Sequence, residues 1–98
     1  MNILSRKYID FVPALLVKGA EDQNSICVFT HKYNKRLYKK KKWYTGAIIY
    51  HKKTKDWCFR SGGDFVYGHE YLMIVSRFVY EMNSGRIKFN AEKGELIV

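Results

Sequence analysis

The chain has one proline, Pro13, and two cysteines, Cys27 and Cys58, among its 98 residues. Two cysteines close at most one disulfide, whereas a secreted domain this small normally carries four or more. A disulfide-built scaffold is excluded, and a reducing compartment, the cytoplasm of a bacterium or of a host cell, is expected. Long apolar runs are missing too. The longest near the start, Phe11 to Val17, is seven residues with Pro13 inside it, while a membrane span needs about twenty. Asp10 interrupts the one candidate for the apolar core of a signal peptide. There is no phosphate-binding glycine loop, no Gly-x-Ser-x-Gly and no His-Glu-x-x-His, so no enzymatic activity, cofactor or membrane partner is expected.

Acidic residues are scarce, nine against eighteen Lys and Arg, for a net charge of +9. Their absence is concentrated in one stretch. From His31 to Lys55 there is no Asp or Glu, and the window holds Lys32, Lys35, Arg36, Lys39, Lys40, Lys41, Lys42, Lys52, Lys53 and Lys55. The remaining 73 residues are nearly neutral, so the whole excess lies in a quarter of the chain. Solubility requires no such segregation; a polyanion or an acidic partner does.

What is present is an ordinary globular apolar fraction, 47%, with 16% aromatics including eight tyrosines. That suits one domain over residues 1–98 with aromatic surface as well as aromatic core. Lys7 to Lys18 reads as extended, since Pro13 breaks a helix. Ile26 to Thr30 is a short strand leading into a basic loop through Tyr33 and Tyr38. Trp43 to His51 is a strong strand, Lys52 to Asp56 a hairpin turn, and Trp57 to Arg60 its partner. Helical spacing of Tyr71, Val75, Phe78 and Met82, widened by Leu72 and Val79, predicts a helix over His69 to Asn83, stopped at Asn83-Ser-Gly85. Arg86 to Asn90 and Leu96 to Val98 form a last hairpin. The expected fold is α+β: an antiparallel sheet of about four to six short strands packed by one α-helix in the C-terminal half.

The candidate site is the lysine run with its aromatics. Lys39-Lys-Lys-Lys-Trp43-Tyr44 joins phosphate-seeking ammonium groups to two rings at the point where loop becomes strand, and a ring stacked on an unpaired base is worth about 1–3 kcal/mol. Lys35 and Arg36 precede it, and Lys52, Lys53 and Lys55 follow at the hairpin. Strict alternation puts Trp43, Thr45, Ala47, Ile49 and His51 on one face of the strand, and Tyr44, Gly46, Ile48, Tyr50 and Lys52 on the other.

Two weaker patterns resolve into ordinary structure. Gly62-Gly-Asp-Phe65 matches part of the diguanylate cyclase GGDEF signature but lacks its next acidic residue and the length of that domain, so it reads as a turn. Cys27-x₃-His31 has a tolerable zinc spacing, but His51-x₆-Cys58 does not complete a site, and no metal is expected. The helix is apolar on more than one face, at Leu72, Met73, Ile74 and Val75. Either the N-terminal strands or a second subunit, giving a homodimer through the 69–83 helix, must cover the surplus.

The order of basic strands, hairpin and helix over Lys39 to Asn83 is similar in outline to the three-stranded sheet-plus-helix DNA-binding domains of tyrosine integrases and AP2-type factors. That resemblance implies a DNA partner; the lysine cluster itself leaves the nucleic-acid partner open, DNA or RNA, and the missing catalytic motifs lead to the expectation of binding without catalysis. The abundance of Lys, Asn, Ile, Tyr and Phe suits a small reading frame of a phage or low-GC bacterium. The alternative expectation is therefore an inhibitor that docks its basic patch on an acidic or nucleic-acid-binding host protein.

Overall fold

Five strands precede the helix, each antiparallel to the one before it. The computed structural model describes residues 2–34 and 39–98, with backbone alone at 32–34, 39 and 40. Strands β1 (Leu4–Arg6), β2 (Ile9–Pro13), β3 (Ile26–Asn34), β4 (Lys39–His51) and β5 (Asp56–Ser61) form one antiparallel meander in sequence order. Helix α1 (His69–Asn83) follows, then a small hairpin of β6 (Lys88–Asn90) and β7 (Glu95–Ile97). The fold is α+β with one helix in the C-terminal half.

The segment expected to be simply extended, Lys7 to Lys18, instead turns twice. A two-residue turn at Lys7-Tyr8 joins β1 to β2, with Lys7 at φ 54°, and a 3-10 turn over Ala14–Leu16 follows Pro13. β3 and β4 are also longer than the short strands expected, nine and thirteen residues. Lys39 to Lys42 belong to β4 and not to a loop. Pairing with β3 as far as Lys39 engages the backbone groups on that side and overrides lysine's poor strand preference.

One core holds these elements together. Ile9 and Phe11 of β2, Ile26 and Val28 of β3, and Ile48 of β4 meet Tyr71, Val75, Phe78 and Met82 of α1. Those four are the buried residues of the helix, as their spacing predicts. The rings of Phe11 and Phe78 stack 3.9 Å apart and nearly parallel. Ile87 and Leu96 extend the core under the last hairpin. The helix ends where Gly85 takes φ 79°: its N–H donates to the Met82 carbonyl and the Arg86 N–H to that of Glu81, a Schellman stop.

Polar contacts fix the helix on the sheet. Arg6 forks onto Glu81 at 2.5 and 3.1 Å, and its hydrogen bonds hold the Glu81 carboxyl below its ordinary pKa. Asn83 acts as a short strand surrogate along the edge of β5, accepting from the Trp57 N–H at 2.7 Å and donating to the Trp57 carbonyl at 3.1 Å. Among the described residues, no helix is long and apolar enough to cross a membrane.

Candidate nucleic-acid interface

The site begins with a fault in β4. Val28 pairs with Gly46 but Phe29 pairs with Tyr44, so Thr45 is an extra residue, a β-bulge. A bulge resets alternation, and here Trp43 pairs with Thr30 on the helix-bearing face that also holds Val28 and Ile48. Tyr44 pairs with Phe29 on the opposite face. The face assignment expected from strict alternation, Trp43 together with Ala47 and Ile49, is corrected by this one residue.

The hydroxyl and the carbonyl of Thr45 both hold the bulge. Its hydroxyl donates to the Val28 carbonyl at 3.1 Å and lies 2.8 Å from the Tyr71 hydroxyl, which must then be the donor of that pair. Its carbonyl accepts from the Gly62 N–H at 2.9 Å and from the Tyr67 hydroxyl at 2.6 Å. Gly46 beside it has no room for a side chain: a Cβ would sit 2.5 Å from the Phe59 ring and 2.6 Å from the Arg60 carbonyl. Burial pushes the Tyr71 phenol up to about 12.

Around the bulge lies an open cleft of about 640 Å³, bounded by β4, the loop after β5 and the start of α1. Its walls are aromatic: Tyr8, Trp43, Phe65, Tyr67 and Tyr71. Tyr67 and Tyr71 stack at 4.5 Å, while Trp43 and Phe65 are 41% and 44% exposed, so two rings present part of their surface to solvent. Lys41 stands over the Trp43 ring at 5.6 Å, a cation–π pair at the mouth. The supposed GGDEF fragment is part of this loop, and its Phe65 is a cleft wall.

The lysines expected to act together divide into two groups. Lys39 to Lys42 begin β4 and Lys52, Lys53 and Lys55 turn the chain at its far end. At a strand rise of about 3.3 Å per residue, Lys41 and Lys52 lie about 35 Å apart. Lys41, Lys52, Lys53 and Lys55 make no ion pair among the described residues. Lys42 differs: its Nζ lies 3.1 Å from the buried Asp10, whose other oxygen is 3.3 Å from His31. Burial alone would raise the Asp10 pKa. Hydrogen bonds from Ser5 and Lys42 and the Lys42 charge outweigh it and hold the carboxyl below its ordinary value. Lys42 is thus in part a structural counter-ion. Lys35, Arg36 and Tyr38 lie outside the described residues.

Tyr44 is 40% exposed on the opposite face, edge-on to Phe29 at 5.8 Å, beside a second hollow lined by Cys27 and Arg60. No group of three or more potential metal ligands occurs among the described residues; Cys27 is buried, and burial raises its thiol pKa. Of the cleft residues, sequence reasoning selected Trp43 for nucleic-acid contact and missed Tyr8, Thr45, Phe65, Tyr67 and Tyr71. The signal for three of them was present as Phe65-x-Tyr67-x₃-Tyr71, aromatics running from a glycine turn into a helix. Comparison with family models, with curated proteins and with solved structures finds no match, so the outline likeness to integrase and AP2-type domains gains no support from it.

Proposed function

We propose that this chain binds nucleic acid without catalysis, using Lys39, Lys40 and Lys41 with Trp43 at one end of β4 and Lys52, Lys53 and Lys55 at the other. Lys35 and Arg36 extend the first group in sequence. Lys42 and Tyr44 adjoin it on the opposite face. The observation that carries this reading is the β3–β4 register. Lys32 pairs directly with Lys41 and Tyr33 with Lys40, in a stretch that contains no carboxylate. Like charges opposed across a ladder cost stability on their own, and a polyanion laid along them turns that cost into affinity.

Binding of this kind is dominated by counterion release. With about five phosphates neutralised, affinity falls by two to three orders of magnitude between 50 and 200 mM salt. Titration by fluorescence anisotropy against random DNA and RNA checks this, and absence of binding at 50 mM overturns it. Retention from a lysate distinguishes the inhibitor alternative: nucleic acid lost on nuclease treatment supports the proposal, whereas a single acidic protein that survives nuclease supports the alternative. A homodimer through α1 is a separate proposal, supported by Leu72, Met73 and Tyr80, about half exposed on the helix. Light scattering that gives the monomer mass at high concentration rejects it.

A further inference from the structure

We propose that the aromatic cleft at the β4 bulge receives one unpaired base of a single strand whose phosphates lie along the lysines that begin β4. This deepens the nucleic-acid reading and rests on it.

Three observations support the assignment. The first is shape and chemistry. Trp43 of the bulged strand and Phe65 of the loop before α1 are two half-exposed rings lining one cavity. Exposed aromatic surface gathered at one cavity, rather than scattered singly, marks a place where a flat apolar ligand or partner group settles. The second is charge. Lys41, free of carboxylate partners among the described residues, stands over the Trp43 ring at 5.6 Å, so an ammonium group able to take a phosphate adjoins the ring that lines the cleft. The one carboxylate in the first turn of α1, Glu70, is matched by Lys7 at 3.0 Å.

The third is what the cleft floor lacks. The Tyr71 and Thr45 hydroxyls are spent on one another and on Val28, and the Tyr67 hydroxyl on the Thr45 carbonyl. His31 is turned to Asp10. The Thr45, Tyr67 and Tyr71 hydroxyls are therefore committed to holding the bulge rather than to reading a base edge. The cleft thus recognises a base by its π-face, which every base has, and the expected consequence is preference for single strands with little preference for sequence. A duplex keeps its bases stacked on each other and offers the cleft nothing.

The test compares two labelled eight-nucleotide strands by anisotropy at 50 mM salt: oligothymidylate and an abasic deoxyribose-phosphate strand of equal length and charge. The full chain should bind the base-bearing strand at least about fivefold more tightly, the lower end expected for one stacked base. Oligodeoxyadenylate should bind at least as well as oligothymidylate. Trp43→Ala should close the gap between base-bearing and abasic strands. Phe65→Ala should do the same from a half-exposed loop position outside the core cluster, which keeps the test decisive if the Trp43 variant unfolds. Equal affinity of the parent for both strands overturns the cleft assignment and leaves electrostatic binding standing. A gap that persists in both variants overturns it as well, since the base then stacks elsewhere. Failure to bind either strand removes the nucleic-acid reading, and the cleft assignment with it.

Discussion

Replacing Thr45 by valine preserves the branched shape of the side chain and deletes one oxygen, which isolates the polar pinning of the bulge from its packing. In the parent that oxygen donates to the Val28 carbonyl and accepts from the Tyr71 hydroxyl, both within a site where Thr45 and Tyr71 are each 5% exposed. Without it, the Tyr71 hydroxyl is a buried donor facing a methyl group. Leaving such a group unsatisfied costs about 1–3 kcal/mol, a sizeable share of the roughly 5–15 kcal/mol of a typical domain. With a urea slope of about 1–3 kcal/mol per molar for a small protein, the midpoint should fall by about 1 M. The double variant Thr45→Val with Tyr71→Phe removes both partners together, so it should cost at least about 1 kcal/mol less than the sum of the single changes. Urea denaturation followed by circular dichroism measures all four proteins. A Thr45→Val midpoint within 0.2 M or so of the parent, or strict additivity in the cycle, would refute the claim that this hydroxyl pair holds the bulge.

Gly46→Ala should destabilise by about 1–3 kcal/mol in the same assay, because the added carbon meets the Arg60 carbonyl as well as the movable Phe59 ring. Asp10 has a folded-state pKa below its ordinary value of 3.8, so the stability it contributes is present above that pH and is lost as pH falls through the lowered value. Asp10→Asn should therefore flatten the acid limb of a melting-temperature profile below about pH 4, and an unchanged limb would contradict the ion-pair account. Tyr71 titrates the other way. Its pKa is raised from 10.0 to about 12, so stability present below pH 10 is lost as pH rises toward 12, and Tyr71→Phe should weaken that alkaline loss in a pH-jump unfolding series.

The helix was legible because its signals are local: Tyr71, Val75, Phe78 and Met82 recur at helical spacing, and Gly85 supplies the positive φ that ends it. The β4–β5 hairpin was legible for a similar reason, a run of Lys and Thr between two aromatic strands. The β1–β2 turn was not. Lys7 adopts φ 54° there, a conformation normally announced by glycine or asparagine. The bulge was invisible to any reading by alternation because its determinants lie far along the chain, at Gly62, Tyr67 and Tyr71. That single unseen residue misplaced Trp43 and hid the cleft, even though Trp43 itself had been selected for its chemistry. The concentration of charge was plain in the sequence, but its division into two ends follows only from the thirteen-residue length of β4.

In the proposed binding mode, phosphates are neutralised at both ends of β4. This is tested most directly by the slope of log affinity against log salt for the parent and for two triple-alanine variants, one at Lys39, Lys40 and Lys41 and one at Lys52, Lys53 and Lys55. Lys42 is left in place to keep its pairing with Asp10. The account predicts a parent slope near −4 and a reduction of up to about 0.7–0.9 for each lysine removed at either end, with the two ends acting additively across their separation of about 35 Å. A folded parent that binds no strand at low salt, or a slope left untouched by either one of the triple replacements, would contradict it.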